Sequence, residues 1–156
     1  MKIQLLSEAS SFAAQTAHLL FREWSALPAW SNQSTILQRL NARNYSAHSE
    51  FTLVVEHANK VIATSSVIRY ELNDALAREY WLGEVVTDSA FRGQGIAKSL
   101  ISRCVALAKQ NGIKALWLYT PDQQAFYQRL GWQAVEQRVI ADEEVTLMVM
   151  PLDSSQ

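Results

Sequence analysis

Residues 81–111 constrain the chain most, because an apolar run, a glycine turn and an apolar-periodic stretch follow one another directly. The run from Trp81 to Thr87 reads as a strand. Arg92-Gly-Gln-Gly95 is a turn whose glycines let the backbone curl closely around something. Ala97, Leu100, Ile101, Cys104, Val105 and Ala108 then recur at helical spacing, and Gly112 is a natural stop. A helix that starts on such a turn aims unpaired N–H groups and a partial positive charge back into it. That end suits an anion, a phosphate or pyrophosphate above all.

The chain has 156 residues, the size of one domain with a proper core. Its formal charge of −1 gives no electrostatic case for nucleic acid or an anionic membrane as partner. One cysteine excludes an internal disulfide and a cysteine-rich zinc site. No apolar run is long enough to span a bilayer, and the apolar segment at the start is too short for a signal peptide, so a cytoplasmic address is the default expectation.

Before the glycine turn, residues 2–6 read as a short strand. A helix capped by Ser7 or Ser10 runs to about Trp24, and Pro28 breaks the pattern. A second helix follows residues 31–34 and ends near Asn44. Residues 51–56 and 61–70 make a hairpin around His57-Ala-Asn-Lys60, and residues 71–78 form a polar loop. After the central helix come a strand at 115–119 and a helix in which Thr120-Pro-Asp-Gln123 serves as a capping box. Strands at 132–136 and 145–150 close the chain around the acidic turn Asp142-Glu143-Glu144. A strand–helix–strand unit in a strand-rich chain argues an α/β fold with a mixed sheet.

Alone, the glycine turn is a weak signal. It lacks the Gly-Lys-Ser/Thr ending of a nucleotidase P-loop and the third glycine of a dinucleotide fingerprint. A second segment, Phe126-Tyr-Gln-Arg-Leu-Gly-Trp132, lies one strand and one helix further on. Together the two resemble the GNAT superfamily of N-acetyltransferases, which pairs an Arg/Gln-x-x-Gly-x-Gly/Ala turn with a later Tyr-x-x-x-Gly-Phe/Trp-like segment. The matching residues are Arg92, Gly95 and Ala97, then Tyr127, Gly131 and Trp132. The resemblance implies a mixed, mostly antiparallel central sheet flanked by helices. It places one GNAT-like domain at 1–152, leaving a short tail at 153–156.

The resemblance further implies acetyl-CoA as cosubstrate, its pyrophosphate wrapped by Arg92, Gly93, Gln94, Gly95, Ile96, Ala97 and Lys98. Its pantetheine arm would lie between splayed fourth and fifth strands, against the backbone of Val85, Val86 and Thr87. A backbone N–H there would polarise the thioester carbonyl. Tyr127 is the candidate general acid, against a reading in which it only packs. Glu84 is the candidate base, against a reading as a paired strand residue. Glu71, Asp74 and Glu79 form an acidic mouth for a cationic amine, or else a solvated loop. Thr120 stands where many members carry an asparagine that touches the cofactor. Scattered histidines and a helix-stripe Cys104 offer no metal site and no nucleophile. The expected activity is acetyl transfer to a small-molecule primary amine by direct attack. The rivals are protein or peptide N-terminal acetylation and a non-catalytic acyl-CoA sensor. The end strands could pair with a second copy, giving a homodimer.

Overall fold

The computed structural model describes residues 1–43, 45, 50–75 and 77–152. The expected helix end at Asn44, His48 and the expected tail at 153–156 lie outside the described residues.

Seven strands form one sheet: β1 (Lys2–Leu5), β2 (Phe51–His57), β3 (Lys60–Arg69), β4 (Tyr80–Thr87), β5 (Ala115–Thr120), β6 (Gln133–Ile140) and β7 (Glu143–Pro151). Their spatial order is β1-β2-β3-β4-β5-β7-β6, and among the described residues β4–β5 is the one parallel neighbour pair. A parallel pair needs a crossover. Here α3 (Ile96–Gln110) supplies it, as the sequence pattern requires. The two tight hairpins each turn on a non-glycine pair with positive φ, Ala58-Asn59 and Ala141-Asp142. That geometry matches the right-handed twist of the strands it joins.

Helices α1 (Ala13–Trp24) and α2 (Gln33–Asn41) come between β1 and β2. The first is preceded by two 3₁₀ turns at Leu6–Glu8 and Ser10–Phe12, where a continuous helix is expected from the serines. The second is capped by Asn32, whose Oδ1 accepts the Thr35 N–H at 3.1 Å. The fourth helix, α4 (Gln124–Arg129), is shorter than the sequence suggests. Thr120 Oγ1 does accept the Gln123 N–H at 3.1 Å, but residues 121–122 bend away and helical geometry starts only at Gln124.

Three apolar groups lie around the sheet. The largest joins α3, α4 and the inner residues of β2–β5, with Leu100, Ile101 and Cys104 fully buried. Ser65 Oγ sits 3.0 Å from Cys104 Sγ in this layer. On the opposite face α1 and α2 pack Leu20 and Ile36 against Val54, Val61 and Val86. A third group, Trp81, Val145 and Leu147 with Leu72, Trp117, Tyr119 and Ile140, contains no helix residue. Leu72, from the segment between β3 and β4, packs against it.

Candidate active site

Two features of β4 build the site. The first is an irregularity in its middle. Thr64 pairs with Val86 and Ser66 with Gly83, so three steps on β4 match two on β3. Glu84 carries the extra residue, with φ of 56°. A bulge reverses the alternation of side chains. Leu82 accordingly packs toward α3, whereas Val86, four positions on, packs toward α1 and α2. The second is its parting from β5. The two strands register only at Trp81 and Trp117, and beyond that pair they diverge. The main chain of residues 82–87 is thereby left unpaired on the β5 side, as one wall of a cleft between the two strands.

The glycine turn follows β4 in the chain and opens α3. Gly93 and Gly95 have φ of 79° and 80°, a region costly for any residue with a Cβ. A Cβ built on either meets no atom within 4 Å, so open space lies in front of the backbone there. Gly95 is the N-cap of α3, and no side chain caps its first turn. The fifteen-residue helix thus presents unpaired N–H groups to that space. This open cradle fits a diphosphate. Arg92 is turned elsewhere: its Nε donates to the Thr87 carbonyl at 3.0 Å and its Nη2 to Glu23 at 3.1 Å. Lys98 and Gln94 are exposed beside the turn, Ile96 is buried in the core and Ala97 is half-buried.

Tyr127, on α4, is buried, with its ring 5.1 Å from Phe126 and 5.9 Å from Trp132. Burial first, then the charge of Glu71, pushes its phenol up to about 12. The hydroxyl therefore keeps its proton at any ordinary pH.

Glu84 is fully engaged. Oε1 accepts from Arg43 Nη1 at 2.5 Å and from Ser66 Oγ at 2.7 Å, and Oε2 accepts from Arg43 Nη2 at 2.9 Å. Arg43 Nη1 also reaches Thr52 and Ser66, and both side chains of the pair are almost wholly buried. The carboxylate holds the bulge to the end of α2. Its lone pairs face these donors, which is a poor posture for taking a proton from an incoming amine.

Glu71 occupies the better position, one the sequence did not single out as a base. A Cβ on Gly83 would fall on its carboxyl group, so the missing side chain is what lets Glu71 lie against β4. The side chain is partly exposed at its rim while the carboxyl points inward. Burial, then repulsion from Glu84, raises it to about 8, with Arg43 and Arg39 pulling the other way. Among the described residues none donates a hydrogen bond to it. A mid-strand glycine next to a bulged acid was the available signal. The other members of the expected acidic mouth are paired: Asp74 with Arg78 and Arg138, and Glu79 with Arg69. Among the described residues no cluster of His, Cys, Asp or Glu is placed to hold a metal ion, and no helix is long and apolar enough to cross a membrane.

Comparison with known proteins adds three findings. The model of the acetyltransferase (GNAT) family matches residues 14–132. None of the curated proteins matches. Solved structures match over the whole fold at low identity. An aminoglycoside 6′-acetyltransferase type Ii aligns with a TM-score of 0.79 and 16% identity over 100% of both chains. An aminoglycoside 6′-N-acetyltransferase complexed with coenzyme A gives 0.75 and 15%, over 100% of this chain and 99% of the other. A ribosomal-protein-alanine N-acetyltransferase from Brucella melitensis gives 0.77 and 16%, over 97% and 99%. At such identities the likeness speaks for the fold.

Proposed function

The chain belongs to the GNAT family of acetyltransferases, and from that premise we propose that it transfers the acetyl group of acetyl-CoA to a primary amine of a small molecule, by direct attack in a ternary complex. The observation that carries this reading is the parting of β4 from β5 together with the open backbone at Gly93 and Gly95. Support for a small-molecule acceptor comes from the two aminoglycoside-modifying neighbours.

In this reading the N–H groups of residues 95–98 grip the diphosphate, and the backbone of residues 85–87 pairs with the pantetheine amides. The acceptor arrives as an ammonium, whose charge favours the ionised form of Glu71, a carboxyl that is largely protonated at neutral pH when the site is empty. Glu71 rather than Glu84 takes its proton, because a base near 8 is matched to an amine at neutral pH and has a free lone pair to offer. The amine nitrogen then attacks the carbonyl carbon, the C–N bond forms, the C–S bond breaks, and the second N–H proton of the former amine leaves to neutralise the expelled thiolate. Tyr127 donates a hydrogen bond to the departing sulfur. A phenol at about 12 gives up its proton to a thiolate of ordinary pKa, roughly 8.5, only uphill. Its contribution is therefore stabilisation of the developing negative charge more than complete protonation.

The test is loss of the thioester absorbance with a panel of polyamines, amino acids, aminoglycosides and peptides. Turnover with small amines, abolished in Glu71→Gln and mostly retained in Glu84→Gln, is the expected result. Full activity in Glu71→Gln would remove it as the base. A second reading, acetylation of a protein N-terminus, is favoured by the ribosomal-protein-alanine neighbour. It predicts turnover confined to the peptides. Binding of acetyl-CoA without turnover on any amine would instead identify a sensor.

A further inference from the structure

Glu71 belongs to a loop, residues 71–79, whose neck is closed at the sheet. Tyr70 N–H donates to the Glu79 carbonyl at 2.6 Å, and Arg69 pairs with Glu79 at 2.6 Å. Two further sets of contacts act on the loop beyond this neck. Arg78 lies 4.8 Å over the Trp117 ring, and its carbonyl accepts the Trp81 indole N–H at 2.7 Å. Its guanidinium then reaches Asp74 at 3.0 Å and Glu136 at 3.1 Å. Arg138 closes the circuit, with Asp74 at 3.2 Å and Glu136 at 2.8 Å. Two carboxylates and two guanidiniums alternate, each touching both members of the opposite charge.

Glu136 and Arg138 stand on β6, at the far edge of the sheet from β4 in the order β4-β5-β7-β6. The circuit therefore draws the loop across two intervening strands, over the apolar group that contains no helix residue. Leu72, one residue from Glu71, is packed into that group by the same lean.

We propose that the Asp74–Arg78–Glu136–Arg138 ring is a positioning device for the reaction: it fastens the loop across the bare half of the sheet and thereby holds the Glu71 carboxyl against Gly83, facing the cleft. This rests on the reading of Glu71 as the proton acceptor, but the placement of Glu71 is measurable without activity. Charged ends suit the task better than apolar ones. A planar guanidinium between two carboxylates fixes direction as well as distance. The side chains are only partly buried, from 14% to 35% exposed, so the ring lies within reach of solvent and salt.

The groups acting on Glu71 are Glu84 and Gly83 of β4, Arg43 beyond α2, Arg39 of α2, Tyr119 of β5 and Tyr127 of α4. The ring residues are not among them, so removing ring charges reaches Glu71 through its placement. The decisive variant is Glu136→Ala/Arg138→Ala, which severs both anchors on β6, leaves net charge unchanged and keeps the Asp74–Arg78 pair inside the loop. Carboxyl-carbon NMR titration of Glu71 in the free full-length protein is the first readout. The midpoint near 8 is expected to fall by at least one pH unit as water reaches the lifted carboxyl. Amide exchange across residues 71–79 should accelerate at least tenfold, while the melting temperature stays within the range of ordinary surface substitutions. With whichever panel amine turns over, kcat/KM for the amine should fall at least tenfold and KM for acetyl-CoA should not move. Arg138→Lys, which restores the charge without the planar fork, should recover part of each effect. An unchanged midpoint and unchanged exchange in the double variant would overturn the proposal. If those two readouts move as expected while Glu71→Gln remains fully active, the ring stands as the device that places Glu71, and the base assignment alone is lost.

Discussion

A carboxyl raised to about 8 must lower stability as pH rises, and Glu71 allows this to be worked through. Below pH 4.5 the group is protonated in both folded and unfolded chains and contributes no pH dependence. Between 4.5 and about 8 the unfolded chain releases the proton and the folded chain keeps it, so stability falls with each step upward. Above about 8 both are ionised and the loss is complete. At about 1.36 kcal/mol per pH unit the ceiling is about 5 kcal/mol. Water at the exposed rim of the side chain screens part of that, so about 2–3 kcal/mol is the expected span. Glu71→Gln removes the titration and leaves the size of the side chain. Urea unfolding of both proteins at pH 4.5, 6, 7.5 and 9 gives the difference directly, and every other titrating group cancels in it to first order. The variant should gain on the wild type steadily from pH 4.5 to 8 and then level off. A constant difference, or one that shrinks with pH, would refute a buried, repelled carboxyl at this position.

Four other substitutions bear on the same site. Tyr127→Phe should lower kcat by about 10²-fold or more with KM for acetyl-CoA nearly unchanged, by steady-state kinetics. Gly95→Val places a branched residue at φ of 80° in front of open backbone, so calorimetric titration should show coenzyme A binding lost. Gly83→Ala should displace the Glu71 carboxyl and bring its NMR midpoint down toward the ordinary carboxylate range, with the fold retained. Arg43→Ala strips the partner from a buried carboxylate, and denaturant unfolding should show a loss of about 3–5 kcal/mol at pH 7.

The elements themselves were largely legible from local pattern. Apolar periodicity located β4, α3 and β5, and the glycines of the turn announced both the positive φ and the exposed helix start. The start of α4 was misplaced because Thr120 supplies a capping hydrogen bond to a bend and not to a helix. The two carboxylates beside β4 were harder to tell apart for a physical reason. Glu84 and Glu71 look alike in sequence, and what separates them is a guanidinium arriving from residue 43 and a glycine on a neighbouring strand. Those are contacts between distant parts of the chain, and no periodicity reports them. The same holds for Arg92, whose charge looks available in the motif but is spent on Thr87 and Glu23.

Cys104, walled into the layer beneath α3 beside Ser65, has a practical corollary. Burial holds its thiol up at about 12, and it is the one cysteine of the chain. A chromogenic disulfide reagent added to the folded protein therefore finds no reactive endogenous thiol, and in the proposed assay the colour it develops would count released coenzyme. The same residue becomes a clock when the chain opens: the pace of its alkylation under native conditions reads out how often the core comes apart.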